Sequence, residues 1–125
     1  MSTLYSSGSS WEHTLGYSRA VHVGDTLYIS ATSAAAADGS VTGDLYEQTR
    51  FALEKLGSVL AEAGFAYGDV VQSKLYITDI ANWQEAGRAH GEVFADIRPA
   101  LTLLHVLPFL DPAMLVEVEL VAQKG

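Results

Sequence analysis

Cysteine is absent from all 125 residues, which removes disulfides, thiolate metal sites and cysteine nucleophiles at once. Basic residues are scarce as well. Seven Lys and Arg stand against fifteen Asp and Glu, a formal net charge of −8, and no basic stripe gathers the few cations. Such a field repels phosphate backbones and anionic lipid heads, so neither nucleic acid nor a membrane surface is expected as a partner. There is no run of eighteen apolar residues, and the opening "MSTLYSSGSSWEH" has neither a basic n-region nor an apolar h-region. A soluble, cytoplasmic protein is the expectation.

What remains is an ordinary globular composition. Hydrophobic residues make up 49% and charged residues 18% of the chain, which places it among folded rather than disordered sequences. A chain of this length buries roughly two-thirds of the surface it exposes when unfolded, enough for one core without a staple. Residues 1–125 therefore read as a single domain, with no repeat, linker or low-complexity tract.

Local patterns supply an element order. Short alternating bursts on either side of Gly24-Asp25 predict a hairpin of strands at about 17–23 and 26–33. A loop follows through "AAADGSVTG". From Asp44 the apolar positions Leu45, Ala52, Leu53, Leu56, Val59, Leu60 and Ala63 recur by threes and fours. That spacing predicts a long amphipathic helix stopped by Gly64. "DVVQSKLYITDI" predicts a strand with Val71, Ser73, Leu75 and Ile77 on one face. "NWQEAGRAHGEVFADI" predicts a second helix with Asn82 as its N-cap, weakened by Gly87 and Gly91 and ended ahead of Pro99, which biases Arg98 out of helical geometry.

Two last strands at about 100–107 and 114–122 complete a β-β-α-β-α-β-β order. Two helices then cover one face of a mixed sheet in an α+β layer. The other face stays partly apolar, and association with copies of the same chain is the simplest way to hide it.

The final strand carries an anomaly. Alternation puts Leu115, Glu117, Glu119 and Val121 on one face and Met114, Val116, Val118 and Leu120 on the other, so two carboxylates sit among apolar neighbours. Both could be solvated or paired with cations; a desolvated one would have a raised pKa and could exchange a proton near neutrality. His105, on the preceding strand with Leu101 and Leu103, could by parity share the face of Glu117. His13, His22 and His90 are too dispersed for a metal claim, and neither metal nor cofactor is expected. "SSGSS" lacks the remainder of a phosphate loop and reads as flexible coil, and no G-x-S-x-G elbow marks Ser30 or Ser33 as a nucleophile.

Four stretches taken together, "GDTLYISA", "QTRFALEKLGSVLAEAGFAYGDVVQSKLYITDIANW", "VFADIRPA" and "LVEVELVA", resemble the Rid family of reactive-intermediate deaminases, also called the YjgF family, over nearly the whole chain. The resemblance implies a chorismate-mutase-like fold assembled as a homotrimer, with small-molecule clefts between subunits. In deaminating members an Arg directly after "PA" grips the substrate carboxylate, and a Glu of the last strand places the water that hydrolyses an enamine or imine. Glu117 matches that Glu, Tyr17 matches an aromatic cleft residue, and Ser30 matches the Ser of the family's "SG", with Ala31 in place of Gly.

Leu101 stands where the Arg belongs, and Gly87 replaces an Asn of the second helix. A bidentate charge-assisted fork is worth roughly 1.5–3 kcal/mol per bond in a dry site, so ordinary 2-iminoacid deamination is expected to be poor or absent. Arg19, on the strand face of Tyr17, is the one substitute cation. The expected cleft is thus greasier, with Leu101 and Leu103 as walls, Glu117 as the polar centre, and His105, Tyr17, Arg19 and Ser30 around it.

Two functions follow from that reading. One is a divergent Rid enzyme in which Glu117 moves a proton or positions water on a neutral or weakly charged imine, enamine, enol or reactive carbonyl, as a hydrolase or a cyclising tailoring enzyme. The other is a non-catalytic trimer that binds a small molecule or serves as a scaffold.

Overall fold

The computed structural model describes residues 2–125. Its elements are β1 (Ser2–Tyr5), α1 (Ser10–Leu15), β2 (Ala20–Val23), β3 (Thr26–Thr32), α2 (Leu45–Glu62), β4 (Val70–Ile77), α3 (Trp83–Phe94), β5 (Ala100–His105) and β6 (Val116–Gln123). The strands form one six-stranded sheet in the order β1-β2-β3-β6-β4-β5. Every neighbouring pair is antiparallel except β4 and β5, which run parallel because α3 carries the chain back between them. The α+β architecture expected from the sequence is observed.

One face of this sheet packs on α2 and α3. Leu27, Ile29, Leu75, Ile77, Val116, Val118 and Leu120 meet Ala52, Leu53, Leu56, Leu60 and Phe94 in a continuous buried core. The period-3.6 stripe of α2 and the period-2 stripes of the strands both point there, which is why their spacing predicted the elements. Asp44 caps α2 through a reciprocal box, its carboxylate accepting from the Glu47 N–H at 2.9 Å while the Glu47 carboxylate accepts from the Asp44 N–H at 3.0 Å. At the other end Gly64 takes φ +82°, the left-handed stop. Gly24, at φ +58°, opens the two-residue β2–β3 turn.

Several expectations need correction. Within "SSGSS" residues 6–9 take no regular structure, but Ser10 opens α1, and ahead of the run β1 pairs with β2 from Ser2↔Val23 to Tyr5↔Ala20. The Ser9 side chain caps α1 by accepting from the Trp11 N–H at 3.2 Å, and the Glu12 carboxylate accepts from the Ser7 N–H at 2.8 Å and from its hydroxyl. Strand β2 begins only at Ala20, leaving Tyr17, Ser18 and Arg19 before it, so Tyr17 and Arg19 do not share a strand face. In β4 it is Val70, not Val71, that faces the core; a register shift between Val70 and Gln72 slips the alternation by one residue, and Val71 is exposed. Asn82 occupies the N-cap position of α3 without a capping bond, its amide donating instead to the Asp79 carboxylate at 2.8 Å.

Arg98 left the helical region as Pro99 requires, but into left-handed geometry, φ +58°, with its N–H given to the Phe94 carbonyl at 2.8 Å. A side chain there costs about 1–2 kcal/mol. Replacing Arg98 by Gly is expected to raise stability by up to about 1 kcal/mol once the looser unfolded chain is counted, measured by urea unfolding; a loss would show that the arginine side chain outweighs its backbone strain.

Candidate functional site

The two acids of β6 have different surroundings. Register sets Glu119 opposite Lys74 and Glu117 opposite Tyr76, all on the sheet face away from the helices. Glu119 is partnered: the Tyr76 hydroxyl donates to it at 2.7 Å, and the Lys74 ammonium stands 3.8 Å away. That bond pushes the Tyr76 hydroxyl up to about 12. Glu117 is half-buried, yet among the described residues no group donates to its carboxylate or pairs with it within 4 Å. Burial pushes its carboxyl above the usual range, while the charges of Arg19 and Lys55 pull it part of the way back.

A buried glutamine holds this strand in place. The Gln48 amide of α2 donates to the Gly43 carbonyl at 3.0 Å and the Ala113 carbonyl at 2.9 Å, and its oxygen accepts from the Leu115 N–H at 2.9 Å. Leu115 is two residues before Glu117. The helix thereby fixes where β6 enters the sheet, and with it the height at which the carboxylate emerges.

Arg19, Ser30 and Tyr17 do come together. Arg19 Nη1 donates to the Ala31 carbonyl and to Thr32 Oγ1, both at 2.9 Å, and more weakly to the Ser30 carbonyl at 3.3 Å. Its guanidinium carbon lies 6.0 Å from the Tyr17 ring centre, within cation–π range. The Ser30 hydroxyl donates to the Ser18 carbonyl at 2.8 Å, which occupies its proton. Tyr17 and Ser30 line a shallow depression of about 560 Å³ together with Leu4, Glu12, His13 and Val21, so β1 and the short helix α1 supply part of its wall. A signal for the helix was present: Ser9 and Glu12 have the S-x-x-E spacing of a helix start.

The β5 residues are elsewhere. Leu101 pairs with Ser73, Leu103 with Leu75 and His105 with Ile77, all helix-facing positions, whereas the neighbour of Tyr76 in the Glu117 row is Leu104. His105 therefore does not share the face of Glu117, contrary to the parity argument, because β4 intervenes between β5 and β6 and sets the register of each separately. The β3 and β5 strands are three strand spacings apart, about 14 Å. Within one protomer Leu101, Leu103 and His105 do not join Glu117, Tyr17, Arg19 and Ser30.

Sequence reasoning also missed Lys55, whose ammonium reaches the Ser33 and Ala35 carbonyls at 2.9 and 2.7 Å, and the buried contact of Ser73 Oγ with His90 Nε2 at 2.8 Å. Burial holds the His90 ring below its ordinary pKa. With Ser73 fully enclosed, that pair ties β4 to α3 inside the core and does not meet an outside substrate. No signal in the sequence joins these residues; each pair spans at least seventeen positions and is made only by packing. Among the described residues no group of three or more His, Asp or Glu gathers as a metal site, and no helix is long and apolar enough to cross a membrane.

Comparison with known proteins places these features in a wider setting. The family model described as Endoribonuclease L-PSP matches residues 8–124. A protein of Streptomyces coelicolor, described only as uncharacterized, is 38% identical over 120 residues, covering 95% of this chain and 90% of its own. A RutC family protein of Saccharolobus solfataricus is 34% identical over 111 residues, with 87% of each chain covered. Among solved structures, a member of the highly conserved YjgF/YER057c/UK114 family from Mycobacterium tuberculosis superposes with a TM-score of 0.89 at 37% identity, covering 99% of this chain and all of the other.

Proposed function

The chain belongs to the YjgF family, described for its model as Endoribonuclease L-PSP, and from that membership we propose that it hydrolyses a neutral or weakly charged imine or enamine, with Glu117 as the proton-transferring group. The observation that carries this reading is the contrast within β6. Glu119 is tied to Tyr76 and Lys74, whereas Glu117 keeps a desolvated carboxylate with no partner among the described residues. A group in that condition can accept a proton from water as the water attacks a C=N carbon and hand it to the nitrogen, then relay the second proton from the new hydroxyl to the nitrogen as the C–N bond breaks, so that imine and water become carbonyl and amine.

The cleft forms between subunits of a homotrimer. Among the described residues no strand lies beyond the β5 edge, and Leu101 and Leu104 on it, with Leu107 and Leu110 at 87% and 98% exposure just after it, present an apolar border that a second copy would cover. Docked beside the open face of a neighbour, that border brings Leu101, Leu103 and His105 towards the neighbour's Glu117, Tyr17, Arg19 and Ser30. The walls are then mostly apolar, with few convergent polar groups. The family description points to RNA, but a chain of net charge −8 with Glu117 and Glu119 on its open face repels a phosphate backbone.

The test is ammonia or amine release from matched enamines that differ only in whether they carry a carboxylate. Turnover of the neutral compound is expected to exceed that of the acid by about tenfold or more, the worth of one missing charge-assisted contact. Preference for the acid would sink the substrate assignment. Tight binding with no product from either would favour the non-catalytic binding reading.

A further inference from the structure

Four backbone carbonyls in the six-residue stretch from Ser30 to Ala35 accept from two cationic side chains, the Ser30 carbonyl also accepting from the Thr32 hydroxyl at 2.9 Å. Arg19 Nη1 serves Ser30 and Ala31, and Lys55 Nζ serves Ser33 and Ala35. Two of the seven Lys and Arg residues of the chain converge on one strand end. A carbonyl satisfies a donor but does not neutralise its charge, so each cation keeps a full unit in a half-buried position. Their charges also oppose each other: burial and Arg19 both push the Lys55 ammonium below the ordinary lysine range, and Glu117 pulls it back. Such a pair is costly unless an anion compensates it.

The charges of both cations act on the Glu117 carboxylate, which among the described residues has no ion-pair partner. The remaining groups around it are committed: the Tyr76 hydroxyl, opposite on β4, donates to Glu119, and Lys74 sits beside Glu119. The β3 strand carries a register shift between Ile29 and Thr32, opposite the stretch of β6 that holds Glu119 and leads to Glu117. Register then sets Thr32 opposite Val118, so the carbonyls of residues 30–35 run past the strand position next to Glu117, and the cations bonded to them are placed there by backbone rather than by a flexible ion pair.

We propose that Arg19 and Lys55 are positioning residues for Glu117, their charges locked to the carbonyls of residues 30–35 so that they set the protonation state of the acid without bonding to it. The assignment rests on Glu117 as the proton carrier and adds how that carrier is tuned. With the carboxylate ionised, three charges coexist, two positive and one negative. Once Glu117 takes a proton, two uncompensated cations remain, which drives the proton onward to the leaving nitrogen. The same pair thus favours the base form before attack and strengthens the acid form after it, the balance that a group with both roles needs.

The experiment is a carboxyl-carbon NMR titration of Glu117 in the full chain, its signal identified by loss in Glu117→Gln. Lys55→Gln keeps a donor for the loop carbonyls but removes the charge, and Lys55→Arg keeps the charge. The Glu117 midpoint is expected to move upward in Lys55→Gln and in Arg19→Gln, and to return towards the parent value in Lys55→Arg and Arg19→Lys. If Lys55→Gln does not fold, the Arg19 pair decides alone. An unmoved midpoint in folded charge-removing variants would reduce both cations to tethers of the loop and overturn the proposal. The titration needs no substrate, so an upward shift in a protein that turns over no imine would leave the tuning standing and remove the proposed reaction.

Discussion

Glu117→Gln is expected to lower turnover of the best neutral imine by about 10²–10⁴, the span that general acid–base assistance supplies. Gln keeps the size and a hydrogen-bonding oxygen but cannot take a proton, so KM should change far less than kcat. The same variant carries a second expectation of opposite sign. Because burial raises the folded-state pKa of Glu117, the native protein holds that proton more tightly than the unfolded chain does. Stability from this group is therefore greatest below the unfolded carboxyl value of about 4.3. It declines as pH rises from there through the raised native value, and is flat beyond it. At neutral pH the parent bears the full penalty and the Gln variant none. Glu117→Gln should thus be the more stable protein at pH 7 and lose that advantage near pH 4. A slower and less stable variant would point to a structural contact for Glu117 instead, and unchanged turnover would remove it from the reaction.

Gly57→Ala is expected to destabilise the protein by about 1–2 kcal/mol, although helix propensity alone would credit Ala with a gain of about 1 kcal/mol in the middle of α2. A Cβ at position 57 would meet the Tyr67 hydroxyl oxygen at 2.3 Å and the ring carbon bearing it at 2.7 Å. Tyr67 cannot swing aside freely. Its hydroxyl donates to the Leu53 carbonyl at 2.6 Å, and its ring stands edge-on to Phe94 with centroids 5.8 Å apart. Moving it forfeits a hydrogen bond worth about 0.5–1.5 kcal/mol and disturbs packing at a further 1–3 kcal/mol. In a Tyr67→Phe background the tether is gone, and the cost of Gly57→Ala should shrink, a coupling readable in a double-mutant cycle of urea midpoints. A simple gain in the parent background would mean that the ring relaxes at no cost.

The legible part of this protein was its local periodicity. The threes and fours from Leu45 to Leu60, the alternation of Val116, Val118 and Leu120, and the Gly24-Asp25 and Gly64 signals each depend on geometry within a few residues, and each appears in the structure. What slipped was likewise local in cause. One extra residue in β4 turned Val71 outward, and a capping spacing at Ser9–Glu12 went unread beside a run of serines.

Amino-acid order by itself determined the α+β class, the family, the core stripe of each element and the presence of an acid on an otherwise apolar strand. Only the tertiary structure decided that among the described residues Glu119 is partnered and Glu117 is not, that His105 lies on the opposite face, and that Arg19 and Lys55 hold the carbonyls from the end of β3 into the loop after it. Periodicity is a property of neighbours along the chain, whereas register and charge environment arise between segments. Lys55 and Ser33 are twenty-two residues apart, and nothing in the spacing between them encodes the 2.9 Å contact that the fold makes.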